Sequence, residues 1–260
     1  MADAPVRLEM DGSLAQLVLD NPPLNLFGAE AFEALIGCVD EVRDSDARAL
    51  VWRAEGDTFS GGADVNMFHK VVQDGTAAEA FGSLIAAAEK LEDLEIPTLA
   101  LVRGLCLTAG LEVALACDML WATETAKFGL VEAVVGLTPG AGGTQRMAER
   151  AGPARAAEFV MSAGLYDAAT LERWNVVNRV VADDQLLDKG LRFARRLADG
   201  PTIAHGATKR IIRGYREGGV READRVTPRQ FAELFASEDL QGAVKSFLED
   251  GPGKATFKGR

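Results

Sequence analysis

The sequence predicts an α/β layered fold with helices packed over a sheet, followed by a helical C-terminal third. Two observations carry this. Up to residue 123, apolar stretches of strand character alternate with stretches of helical period, and glycines or prolines mark many of the connections. After Gly140 nearly every segment has helical character, with one short apolar interruption, "VVNRVV" at 176–181.

Each element follows from its local pattern. Alternation in "VRLEM" and "LAQLVLD", split by Asp11-Gly12, reads as a β-hairpin. The prolines of "NPPLNLFG" end the second strand, and Phe32, Leu35, Ile36, Val39 and Val42 then recur at helical spacing to about residue 43. "ALVWRA" (49–54) reads as a short buried strand, "GDTFSGGADV" as a glycine-bearing turn, and 77–94 as a second amphipathic helix. "IPTLALVRG" (96–104) is another apolar strand, ending in the small-residue loop "LCLTAG". A helix over 111–116 and the strand "DMLWAT" follow. "FGLVEAVVGL" (128–137) reads as a strand-like run holding one acid, Glu132, among Leu130, Val131, Val134 and Val135. Six helical segments make up most of the remainder, from "GGTQRMAERAG" to "READRVTPRQFAELFAS".

Composition narrows the function classes. The 260 residues are 48% hydrophobic without an uninterrupted apolar run long enough to span a bilayer, so no membrane association is expected. "MADAPVRLEMDGS" has neither a basic nor an apolar leader region, and a cytoplasmic protein is expected. Cys38, Cys106 and Cys117 suit buried thiols in a reducing compartment, and His69 and His205 form no metal signature. A net charge of −11 weighs against nucleic acid as a partner. The basic stretches "HGATKRIIRGYR" (205–216) and "GKATFKGR" (253–260) read first as a solvated helix face and a solvated tail.

Three glycine-bearing loops lie between strand-like and helical stretches, where backbone N–H groups can point at an anion: 60–64, 107–112 and 139–144. "GAGGTQ" (140–145) is only a partial dinucleotide fingerprint, with Gln145 at the third glycine position, and lies deep in the chain. Neither a phosphate-binding G-x-x-x-x-G-K-[ST] nor a G-x-S-x-G nucleophile elbow is present. Two carboxylates are better placed. Glu112 reads either as a first-turn glutamate favoured by the helix dipole or as a catalytic acid. Glu132 reads either as a core glutamate paired with Arg146 or as a proton donor. Together, two acids flanking amide-rich loops fit acid–base chemistry beside an oxyanion hole.

At these residues the sequence resembles the crotonase superfamily, the enoyl-CoA hydratase/isomerase family. The ordered motifs are "NPPLN" (21–25), "FSGGADV" (59–65), "RGLCLTAGLEVALACD" (103–118), "AKFGLVEAVVGLTPGAGGTQR" (126–146), "VVNRVV" and "TKR" (208–210). The resemblance implies an α/β fold, a ClpP/crotonase-like spiral of ββα units over 1–195, with a C-terminal helical trimerisation region over 196–260. A homotrimer or a homohexamer is the expected assembly. It implies an acyl-CoA thioester substrate and no cofactor, coenzyme A arriving as part of the substrate. The backbone N–H groups of Ala63 and Ala109 would form the oxyanion hole. Leu24, Ala63, Asp64, Val65, Asn66, Leu107 and Gly110 would line the substrate. Glu112 would orient and deprotonate the water that attacks Cβ of a trans-2-enoyl-CoA, and Glu132 would protonate Cα on the same face.

Three departures from the family pattern stand out. Thr108-Ala109 replaces a glycine pair, so new side chains can narrow the acyl or pantetheine channel. Arg103 replaces a smaller polar residue. Asn66 stands where some members have a lysine for the CoA phosphates, leaving Lys254 or Lys258 of the tail as candidate cations, with a disordered tail as the alternative. The runner-up activity is an enoyl-CoA isomerase or another crotonase-fold acyl-CoA enzyme; a non-catalytic CoA-ester or RNA-binding relative is the third reading. Phe68, Phe81, Leu84 and Trp121 read as core or as acyl-pocket wall.

Overall fold

The Asp-Gly turn forms as expected, with β1 (Val6–Asp11) antiparallel to β2 (Leu14–Leu19) and Gly12 at φ +60°. The structure is a computed structural model describing residues 4–260, except for the side chains of 68, 77–81 and 83. Helix α1 (Ala29–Asp44) leads to β3 (Ala49–Ala54). Two helices then follow rather than one, α2 (Val65–Asp74) and α3 (Ala77–Glu92). Asp64 caps the first, and Gly75, at φ +68°, ends it.

Beyond β4 (Thr98–Val102), the expected loop begins with a strand, β5 (Leu105–Leu107), and α4 (Thr108–Leu115) starts at once. β6 (Met119–Thr123) and β7 (Lys127–Gly129) follow. β7 supplies the ladder that makes β5 a strand, pairing Cys106 with Phe128. The run "FGLVEAVVGL" is extended only at its start: residues Glu132–Val135 form a 3-10 turn. α5 (Gly143–Ala151), α6 (Pro153–Ser162), β8 (Tyr166–Asp167), α7 (Ala168–Arg173), β9 (Arg179–Val181) and α8 (Leu186–Ala198) complete the α/β part. α9 (Thr202–Ala236), broken by non-helical backbone at Gly218 and Gly219, and α10 (Glu238–Asp250) end the chain.

The main sheet runs β1-β2-β3-β4-β6-β9, parallel from β2 onward, and a smaller sheet runs β5-β7-β8. Period-two alternation sorts the strands between two cores. Leu17, Leu19, Leu50, Trp52, Ala100, Val102 and Leu120 face α1, α3 and α4. Leu14, Ala49, Val51, Leu99, Leu101 and Trp121 face α8 through Leu186, Ala194 and Ala198. Burial on both faces is why "ALVW" and "LALV" read as unbroken apolar runs. α8 thus belongs to the sheet, and it spans the division drawn at 195/196.

The basic cluster in α9 is committed to ion pairs: Lys209 with Asp118, Arg210 with Glu95 and Glu233, Arg213 with Asp93, and Arg216 with Glu92 and Glu149. The tail is tied down as well. Arg48 donates to the Phe257 carbonyl at 3.1 Å, and the Asp239 carboxylate accepts the N–H groups of Lys258 and Gly259 at 2.6 and 2.8 Å.

Candidate active site

Three segments distant in sequence are zipped together. The Gly61 N–H donates to the Leu24 carbonyl, and the Phe27 N–H to that of Gly62. The Ser60 N–H donates to the Leu105 carbonyl, and the Leu107 N–H to that of Ser60. The buried Ser60 hydroxyl donates to the Asn25 carbonyl at 2.7 Å and accepts the Gly62 N–H at 3.0 Å. Gly110 allows this approach, because a Cβ there would lie 2.3 Å from Ser60 Cβ. This buried glycine therefore sets the spacing of the loops, which was not evident from its expected substrate-lining role.

The two expected oxyanion amides emerge from this junction. Ala109 is the second residue of α4, so its N–H has no partner within the helix and lies at the positive end of the helix dipole. The amide of Ala63 is different. It donates to Thr108 Oγ1 at 2.9 Å. Thr108 adopts φ +42°, a left-handed conformation that costs a β-branched residue roughly 1–2 kcal/mol. Its hydroxyl fills the notch at Gly62 (φ +105°), where a Cβ would lie 2.0 Å from Oγ1. Of the two amides expected to form an oxyanion hole, that of Ala63 is thus partnered by the Thr108 hydroxyl. The sequence flags the threonine, but not that its hydroxyl reaches across to residue 63.

Glu112 lies in the second turn of α4, not the first, and is buried. Its Oε1 accepts the N–H groups of Ala141 and Gly143 at 2.8 and 2.9 Å. The anion at the third glycine loop is therefore a side chain of this protein. Gly143 is required there, since a Cβ would lie 2.7 Å from Glu112 Cγ. Burial raises the Glu112 pKa, opposed by these amides and by the Arg146 charge.

Glu132 begins the 3-10 turn and is 8% exposed. Two of its apolar sequence neighbours do not bury it: Val134 and Val135 are 76% and 61% exposed, whereas Leu130 is buried. Tertiary packing brings α6 against the turn. Arg146 does not pair with it, as its guanidinium meets Glu92 at 2.6 Å. Among the described residues, Glu132 Oε2 is buried without a partner. Desolvation, with the Glu112 charge adding to it, pushes the Glu132 carboxyl up to about 7. That coupling places the two acids in one electrostatic site.

Leu24, Val65 and Asn66 are exposed around the junction, and Leu107 is half-buried. The Asp64 carboxylate is occupied in capping α2, accepting the Asn66 N–H at 2.9 Å and its side-chain amide at 2.8 Å. Arg103 is exposed and donates to the Asp183 carbonyl. Leu84 and Trp121 belong to the cores, and the side chains of Phe68 and Phe81 lie outside the described residues.

Residues 9–260 match the model of the enoyl-CoA hydratase/isomerase family. A probable enoyl-CoA hydratase from Rhizobium meliloti is 32% identical, covering 97% of each chain. A short-chain-enoyl-CoA hydratase from Clostridium acetobutylicum is 28% identical over 94% of each. Among solved structures, subunit I of an enoyl-CoA hydratase from Geobacillus kaustophilus superposes with a TM-score of 0.91, at 30% identity over 98% of each chain. A match across nearly the whole chain, with the acids and amide loops brought to one place, identifies this protein as a member of the enoyl-CoA hydratase/isomerase family.

Proposed function

We propose that this protein is an enoyl-CoA hydratase, adding water in syn fashion across the 2,3 double bond of a trans-2-enoyl-CoA to give a 3-hydroxyacyl-CoA. The observation that carries this is the coupled acid pair, one member fixed by two amides and the other titrating at about 7. In this reading Glu112 orients a water and takes its proton as oxygen attacks Cβ, while Glu132 delivers a proton to Cα. A pKa near the working pH suits the second role. Charge developing on the thioester oxygen is stabilised at the start of α4, by Ala109 and on the side of Ala63.

Leu24, the 63–66 stretch, Leu107 and the region of Gly110 line the path of the coenzyme A portion, which is part of the substrate rather than a resident cofactor. The reading needs no metal, no nucleic acid and no membrane. Among the described residues, no helix is long and apolar enough to cross a bilayer, and we assign the enzyme to the cytoplasm. Exposed Phe231, Phe235, Val244 and Phe247 on α9 and α10 support assembly of the C-terminal helices into a homotrimer or homohexamer.

The isomerase reading is favoured by one observation: Glu112 Oε1 is committed to two amides, while Glu132 can both accept and return a proton near pH 7. Loss of the conjugated enoyl-thioester absorbance of crotonyl-CoA tests the proposal. Hydration by wild type with a loss of about 10²–10⁴-fold in Glu132→Gln supports it; equal rates refute the two-acid mechanism. Hydration that survives Glu112→Ala makes Glu112 structural.

A further inference from the structure

Thr108 places a hydroxyl where the hydratase reading calls for a backbone donor. Its Oγ1 accepts the Ala63 N–H at 2.9 Å and, among the described residues, its own O–H is given to no acceptor. The residue is half-buried and borders the junction of the 60–64 loop and α4. Oγ1 occupies the notch at Gly62. Turning χ1 to put the methyl in place of Oγ1 would set a carbon at the position now 2.9 Å from the Ala63 N, inside van der Waals contact, and a β-branched side chain has few other choices. The hydroxyl is therefore held in one orientation by the residue whose amide it covers.

A thioester oxygen and Thr108 Oγ1 cannot both take the single N–H of Ala63 at full strength. The arrangement lets the hydroxyl pass the interaction on. An N–H donating into an O–H group polarises it and makes its proton a better donor. We propose that the Thr108 hydroxyl is the second oxyanion donor in this protein. The thioester oxygen would accept from Thr108 Oγ–H and Ala109 N–H, with Ala63 N–H backing the hydroxyl. Thr108 and Ala109 are the first two residues of α4, so both donors share the positive end of its dipole. Side-chain hydroxyls serve in this role where backbone amides do not.

This inference rests on the hydratase reading for its rate assay but not for its binding assay. Thr108→Ala and Thr108→Ser are compared with wild type, thermal melts establishing that each is folded. Crotonyl-CoA hydration gives kcat and KM. A bound 3-ketoacyl-CoA reports enolate formation by ultraviolet absorbance without any hydration. Thr108→Ala is expected to lose about 10–10²-fold in kcat, less than the roughly 10²–10³-fold typical of a deleted donor, because it frees the Ala63 amide. Its bound enolate fraction should fall in parallel, and Thr108→Ser should stay within about threefold of wild type on both measures.

If Thr108→Ala equals or exceeds wild type with a lower KM, the hydroxyl is an obstruction that substrate displaces, and the proposal fails. It fails equally if Thr108→Ser falls as far as Thr108→Ala. If neither wild type nor variants hydrate crotonyl-CoA, the activity reading is lost, while the enolate series still decides the donor. A wild-type crystal structure with the 3-ketoacyl-CoA settles the matter should Thr108→Ala not fold. Thr108 Oγ1 within hydrogen-bond reach of the thioester oxygen is expected; Ala63 N in its place refutes the relay.

Discussion

Replacing Glu132 by glutamine should stabilise the folded chain at alkaline pH while impairing catalysis. The Glu132 carboxyl has its pKa pushed from 4.5 to about 7, chiefly by burial, with Oε2 unpartnered among the described residues. The folded state therefore holds this proton more tightly than the unfolded chain. The stabilisation of the protonated form is fully present below about 4.5 and lost as pH rises through about 7. At about 1.4 kcal/mol per unit, the whole displacement corresponds to at most about 3 kcal/mol. About 2 kcal/mol of it falls between pH 5.5 and 8.5, and solvent reaching the outer part of the carboxyl reduces this to about 1–2 kcal/mol. Glutamine keeps the shape and does not titrate.

Urea unfolding of wild type and Glu132→Gln at these two pH values, at one protein concentration, isolates the effect, since the remaining titratable groups are shared. The variant's advantage should be about 1–2 kcal/mol larger at pH 8.5 than at pH 5.5. A difference independent of pH, or one larger at pH 5.5, would refute the assignment of a raised pKa to this residue. The same variant's hydration rate then shows whether the proton has a chemical use.

Three further predictions concern the loop junction, the third glycine loop and the C-terminal tail. Gly110→Ala places a Cβ 2.3 Å from that of Ser60; a loss of about 1–3 kcal/mol in unfolding free energy is expected, with activity falling as the loops separate. Glu112→Ala strands the buried amides of Ala141 and Gly143, at about 1–3 kcal/mol each, whereas Glu112→Gln keeps an acceptor for them. The glutamine variant should therefore melt closer to wild type than the alanine variant, while both lose hydration of crotonyl-CoA. Asp239→Ala removes the acceptor of the Lys258 and Gly259 amides, so limited proteolysis should clip the tail faster than in wild type, as read by intact mass.

Much of the architecture was legible because its signals are local. Period-two and helical apolar spacing, the Asp-Gly turn and the glycine punctuation depend only on residues near one another, and they locate most of the strands and helices. The ordered motifs likewise mark Glu112 and Glu132. β5 was hidden because three residues become a strand only when β7 lies alongside. α2 was hidden because most of its side chains are exposed, so apolar spacing marks no strongly buried face there. The basic stretch of α9 resembled a solvated face because its acidic partners, from Glu92 to Asp118, come from other elements.

Glu132 shows most clearly where the local signal ends. Its apolar sequence neighbours made a buried acid conspicuous, yet two of them are exposed, and α6 packs on the turn that carries it. Sequence determined that an acid and a threonine would stand at these positions, and that glycines would permit close backbone approach. Tertiary structure decided that Glu112 would bind the third glycine loop, that Glu132 would titrate near neutrality, and that the Thr108 hydroxyl would meet the Ala63 amide. Hydrogen bonding and desolvation act through space over a few ångströms, so residues 45 positions apart in the chain acquire their chemistry only when the fold brings them together.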